Sequence, residues 1–360
     1  MSWTLFLLFL LLNALSCSLS SNVTSELLIE EGFSKWVKQM GSFRHSAFRK
    51  VDNVHKPCMT ITVEKDPLAG NFVSIQEAIN SVPEFSECRV VISVGAGIYK
   101  EKITIHSSKP YITLVGAGAH KTIIQWSDNA KQIGSNGKPL STFNTATVAI
   151  DADYFIAKKI SFKNTSPLPH SGKEQTQGVA VRISGDAAMF INCKFHGGQD
   201  TLYDHMGRHY FKNCYIEGTV DFIFGNGLSL YDNCEIHAIG NRYGALTAQR
   251  RDNMLDDTGF SFIHCKVTGS GAFYLGRAWG TFSRVVFSYT YMDKIVTPRG
   301  WENWGDKNRE MTVFYGQYRC TGPGADFAGR VSWSRELTSQ EARPFLSLNF
   351  IDGYEWIELP

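Results

Sequence analysis

From Arg89 onward the chain alternates short apolar runs with small polar clusters. The runs RVVISV, KITIH, YITLVG, TIIQW, ATVAI and KKISFKN are rich in β-branched and aromatic residues, with Gly, Asn, Asp and Ser between them. Branched and aromatic side chains pack well on a half-buried pleated surface, so each run predicts a strand. No long helical period intervenes, and the fold class expected is all-β. One earlier stretch differs. In SIQEAINSV, Ile75, Ala78, Ile79 and Val82 fall on one helical face, and Ser74 with Glu77 makes a capping-box pattern. A short amphipathic helix is predicted there.

A repeat puts the strands in order. FINCKF, FKNCYI, YDNCEI and FIHCKV place Cys193, Cys214, Cys234 and Cys265 in equivalent positions, at spacings of 21, 20 and 31. ISFKNT reads as an earlier copy, with Asn164 in the place of Asn192, Asn213 and Asn233. A strand-only period of about 20 residues predicts a parallel β-helix. Its coils stack at about 4.8 Å, so like residues form ladders. An inward Asn or Cys ladder would fill the core and satisfy polar groups. The cysteines read equally as small buried apolar residues. The helix near residue 75 would cover the open edge of the first coil. A second capping box, Thr338 to Glu341 in LTSQEARPFL, would brace the solenoid late in the chain.

Length and composition fit one large all-β domain: 360 residues, 43% hydrophobic and 19% charged. A net charge of +2 is too weak a basic excess to argue for nucleic acid as a partner. The apolar block Leu5 to Leu12 is too short to span a bilayer and is followed by small residues. It reads as a secretory signal peptide over 1–20, cleaved between Ala14 and Ser21. No other stretch is long and apolar enough to cross a membrane. Residues 21–57 read as an N-terminal extension with a short helix around Glu26 to Met40, and 58–360 as the β-helix domain. Secretion suits the sequons at Asn22 and Asn164, although an inward Asn164 would hide the second. With Cys17 removed, seven cysteines remain, so at least one is unpaired or bonded to another chain.

The polar residues follow the same period. Gln177 lies in QGVAVR, Gln199 and Asp200 in GGQDTLYD, and Asp221 in GTVDFIFG. Gln177 to Gln199 is 22 residues and Asp200 to Asp221 is 21, so the four are expected on three successive coils. Two neighbouring carboxylates do not both ionise; one keeps its proton while the other needs a cation. Such a pair supplies an acid and a nucleophile or base. Neutral glutamine amides suit an oxyanion that appears only during reaction. Arg277 and Trp279 in LGRAWG are the candidate cation and a candidate sugar-stacking ring. Glu101 in GIYKE reads as a coil corner, and Trp301 and Trp304 as core or cleft wall. No metal-ligand spacing, nucleophile elbow or complete dinucleotide glycine pattern is present.

Taken together, GIYKE, QGVAVR, GGQDTLYD, GTVDFIFG and LGRAW resemble the plant pectinesterases (pectin methylesterases) from about residue 60 to about 355. The resemblance implies a right-handed, single-stranded parallel β-helix and de-esterification of methylated homogalacturonan in the cell wall. It implies Asp221 as nucleophile, Asp200 as general acid and then base, and Gln199 and Gln177 as oxyanion donors. Arg277 would hold Asp221, Trp279 would line the sugar cleft, and Thr142 would touch substrate. It implies no cofactor and no metal, a secreted monomer, pectin as partner and a proteinaceous pectinesterase inhibitor as a second partner. Gly178 departs from the family's usual alanine, KDPLA departs from its glycine-rich lead-in, and the inhibitor-like pro-region of many members is not seen. Two other classes compete. A pectin lyase or glycoside hydrolase would depolymerise without releasing methanol, and a non-catalytic wall-binding protein would bind pectin without turnover.

Overall fold

Strand after strand pairs in parallel with its counterpart one coil away. The computed structural model describes residues 57–168 and 176–357. The signal peptide, the helix expected at Glu26 to Met40, Cys17 and the Asn22 sequon lie outside the described residues. One sheet has eleven strands and runs from Pro57–Val63 to Arg335–Glu336. The other has fourteen, eleven of them on its main path, but it is two faces joined at a corner. The long strand Glu235–Gln249 makes the join: its first part pairs with Tyr215–Gly218 and its last part with Ile223–Gly225. One coil is therefore three strands, for example Ala188–Ile191, Lys194–His196 and Leu202–Asp204. This is the right-handed parallel β-helix.

The core is built of ladders. Phe190, Phe211, Tyr231, Phe262 and Phe287 stack ring on ring at centroid distances of 5.1, 4.5, 4.4 and 4.4 Å. Cys193, Cys214, Cys234 and Cys265 form an inward ladder of unpaired, buried thiols. Cys214, Cys234 and Cys265 donate to carbonyls of the preceding coil, at 3.4, 3.5 and 3.3 Å. They act as small core residues with a satisfied S–H. Cys58 and Cys88 form the one disulfide among the described residues, and Cys320 is free.

The asparagines are a correction. Asn192, Asn213 and Asn233 are exposed and have φ of 53°, 54° and 53°. They make the left-handed corner that turns the chain inward to the cysteine, a conformation asparagine tolerates better than most residues. Asn164 is not their equivalent. Lys194 pairs with Ser161, so Lys159, at φ 59°, holds the corner position in that coil. Asn164 is nonetheless buried, because its Nδ2 donates to the carbonyls of Asp128 at 2.9 Å and Val179 at 3.2 Å.

The helix Ile75–Ser81 caps the first coil as expected, with Ile75, Ala78 and Ile79 fully buried. The Ser74 side chain accepts from Glu77 N. Glu101 supplies the rest of the cap, accepting from Ser74 Oγ at 2.8 Å, Ile75 N at 3.1 Å and Gln76 N at 3.0 Å. The capping box of Thr338 and Glu341 is complete. Beyond it, Leu348, Ile351 and Trp356 pack on Met189, Tyr210 and Leu230, covering the outer face of the eleven-stranded sheet.

Candidate active site

The site grows from one face of the solenoid. Val181 pairs with Leu202, and Leu202 with Ile223, so successive coils here are in a twenty-one-residue register. Asp200 and Asp221 therefore occupy the same corner on adjacent rungs. Both are left-handed, at φ 65° and 49°. Asp200 N donates to Val220 O at 3.1 Å and Asp221 N to Ala245 O at 2.8 Å, which fixes both backbones. The turn role and the chemical role coincide, since the corner aims each carboxylate into one cleft.

Three residues further along each strand, an aromatic column floors the cleft. Tyr203 and Phe224 stack at 4.3 Å, and Trp279 follows Phe224 at 6.0 Å. Ala248 is the next step in the column. Its small side chain leaves room for Arg277, which reaches back from a later rung to Asp221. Arg277 Nε donates to Asp221 Oδ1 at 2.8 Å, and Nη2 donates to Oδ2. The cleft encloses about 480 Å³ and is lined by Thr142, Gln199, Asp200, Asp221, Arg277 and Trp279, with Phe143, Arg250 and Trp304 at its walls.

The two carboxyls differ in their surroundings. Asp200 is 9% and Asp221 5% exposed. Burial pushes Asp200 well above the usual carboxylate range, and the charge of Asp221 pushes it further. Arg277, Thr142 and Gln199 offset only part of that. Burial also raises Asp221, but the Arg277 fork opposes it directly. These surroundings favour the proton on Asp200 and the charge on Asp221.

Most of the expected residues converge. Thr142 Oγ1 lies 3.5 Å from Asp200 Oδ2. Gln177 is displaced from the expected stacking: Gly178 N donates to Gln199 O, so Gln177 is one residue out of the strand register. It is half-buried beside the cleft lining, with Nε2 3.4 Å from Thr142 Oγ1. Of the two tryptophans, Trp301 is core, stacked on Tyr315 at 4.3 Å, and Trp304 is cleft wall. Phe222 points into the interior, while Phe224 faces the cleft. Tyr203, Phe143 and Arg250 were not picked out from the sequence. The signal for Tyr203 was available, since it shares with Phe224 the twenty-one-residue offset of the acid pair. Gly178 also has a reason. A Cβ there would stand 2.6 Å from Asn164 Oδ1 and 2.7 Å from the Asp128 carbonyl.

The family model for pectinesterase matches residues 60–354. This chain belongs to the pectinesterase family. As a pectinesterase it is a carboxylic ester hydrolase. It is 46% identical to Pectinesterase QRT1 of Arabidopsis thaliana over 333 residues, which is 92% of this chain and 87% of that one. Among solved structures it resembles the pectin methylesterase from carrot, with a TM-score of 0.77 and 34% identity over 84% of this chain and 95% of that one. Pectin methylesterase PemA from Erwinia chrysanthemi follows at 0.73 and 26%, over 83% and 98%.

Proposed function

We propose that this pectinesterase hydrolyses the methyl esters of pectin to pectate and methanol, through an acyl-enzyme on Asp221. The observation that carries the reading is the asymmetry of the acid pair: Asp221 is held by a two-bonded arginine fork, and Asp200 is not. An ionised Asp221 oxygen attacks the C6 carbonyl of a methyl-galacturonate. The carbonyl oxygen becomes an oxyanion, which the amides of Gln199 and Gln177 stabilise. Asp200 gives its proton to the departing methoxy group, and methanol leaves. The mixed anhydride then remains on Asp221. Asp200, now a base, takes a proton from water. The hydroxide adds to the galacturonyl carbon, the Asp221 bond breaks, and pectate is released with Asp200 reprotonated. Trp279 offers a ring to the sugars, and the stacked Tyr203 and Phe224 form the floor beneath them.

The apolar leader favours secretion and a role in the cell wall, with Asn22 as the better glycan acceptor. Asn164 is disfavoured because its amide is committed to buried carbonyls. A monomer, with a proteinaceous inhibitor as an additional partner, completes the reading. Methanol release from methylated homogalacturonan, with chain length followed in parallel, tests it. Methanol without shortening is expected. Shortening without methanol would favour a depolymerase, and binding without either would favour a wall-binding protein.

A further inference from the structure

Beyond Arg277 lies a second cavity of about 400 Å³. Val220, Tyr243, Tyr274, Glu302 and Trp304 line it, and Arg277 forms the wall it shares with the acid pair's cleft. Glu302 is the unexpected residue here. It is the parallel partner of Arg277 on the next rung, so the two side chains stand side by side on one face. Its Oε2 accepts from Trp304 N at 3.0 Å and its Oε1 from Gly305 N at 3.2 Å. These two bonds tie down a turn whose residues Trp304 and Gly305 have φ of 60° and 74°. The turn lays the Trp304 ring against the Arg277 guanidinium, 4.2 Å from ring centre to Cζ. Arg277 is thus held on one side by Asp221 and on the other by an indole that Glu302 positions.

The geometry points to Glu302 as a positioning residue for the reaction, fixing the Trp304 turn behind Arg277 and sharing that arginine's charge with Asp221. The inference rests on Asp221 being the nucleophile. Its consequence is a proton affinity set by two opposed carboxylates on one cation. Burial raises Asp221 most, Arg277 opposes this, and the Glu302 charge raises it again. Glu302 also acts on Arg277 itself. The other charges near this group are Asp200 and Arg250 in the cleft. Arg309 is committed to the Ala278 and Trp279 carbonyls, and Glu310 is bonded to Asn303. The Tyr243 and Tyr274 hydroxyls are the remaining titratable groups of the second cavity. Neutralising Glu302 leaves more of the Arg277 charge for Asp221, which then ionises at lower pH.

The test compares methanol release against pH for the wild type, Glu302→Gln, Glu302→Ala and Asp221→Asn, on methylated homogalacturonan. Glu302→Gln keeps an oxygen acceptor for the turn and loses the charge. Its acid limb of kcat is expected to move down by about half a pH unit, with KM within about twofold. Glu302→Ala releases the turn as well, and KM is expected to rise at least about threefold as Trp304 loses its place. Melting curves establish that both variants are folded. Folded variants with an unmoved or raised acid limb and wild-type KM would overturn the role of Glu302. Wild-type turnover by Asp221→Asn would instead overturn the nucleophile reading, so the two failures are separable.

Discussion

Arg277→Lys separates charge from geometry at Asp221. The wild-type guanidinium makes two charge-assisted bonds to a carboxylate whose side chain is 7% exposed, while the arginine side chain is itself 31% exposed. Lysine keeps the cation as a point donor but cannot form the fork, and it offers Trp304 no flat partner. A hydrogen bond to a charged group contributes about 1.5–3 kcal/mol net, and partial exposure of the arginine argues for the lower end. About 1.5 kcal/mol is about one pKa unit. Arg277 lowers the pKa of Asp221, so weakening it raises that pKa. Turnover needs Asp221 ionised, and the acid limb of kcat moves up by about one unit. One unit below the wild-type limb, the variant should turn over about tenfold more slowly, while rates on the plateau converge. Stability carries the same sign. The folded pKa of Asp221 is already raised, and the variant raises it further. The melting deficit should therefore be full at neutral pH, where the unfolded carboxyl is ionised, and shrink as the pH falls toward the ordinary carboxylate range. The assay is methanol release across pH, with melting curves at each pH. A folded Arg277→Lys whose acid limb is unmoved or lowered would refute the reasoning.

Two further outcomes follow from packing. Gly178→Ala forces a Cβ to 2.6 Å from Asn164 Oδ1 and 2.7 Å from a backbone carbonyl, so stability should fall by about 1–3 kcal/mol. Denaturant unfolding checks this, and a variant within about 0.5 kcal/mol of wild type would show that the backbone yields freely. The four ladder cysteines are buried and unpaired, so a thiol reagent should leave them untouched in the native protein and label all four after unfolding. A ladder cysteine recovered as a disulfide would contradict the ladder.

The parts legible in the sequence were those that repeat in place. A ladder residue recurs at the coil period because its neighbours above and below are the same kind of residue. That is why the cysteines, and the offset of Asp200 and Asp221, could be read directly. The inward or outward sense of a corner residue is different, since it depends on a backbone dihedral. Asn192, Asn213 and Asn233 carried the right period and the wrong direction, and Asn164 was aligned with them on residue type alone. Beyond Ile223 the period fails. Thr247 and Gly276 are its next counterparts, at offsets stretched by a register shift between Ile239 and Tyr243 and by the loop around Asn253. No spacing rule therefore joins Arg277 to Asp221, and sequence reasoning reached that pair through chemical need and family resemblance. Glu101 bonds to the backbone N–H groups of Ile75 and Gln76, which only folding brings close, and such partners leave no trace in a pattern of side chains.

Asp221→Asn is the most direct test of the central claim. Asparagine keeps the size of the side chain and removes the attacking charge. A folded Asp221→Asn protein should release methanol from methylated homogalacturonan at least about a thousandfold more slowly than wild type. Turnover near the wild-type rate in that folded variant would contradict an acyl-enzyme on Asp221.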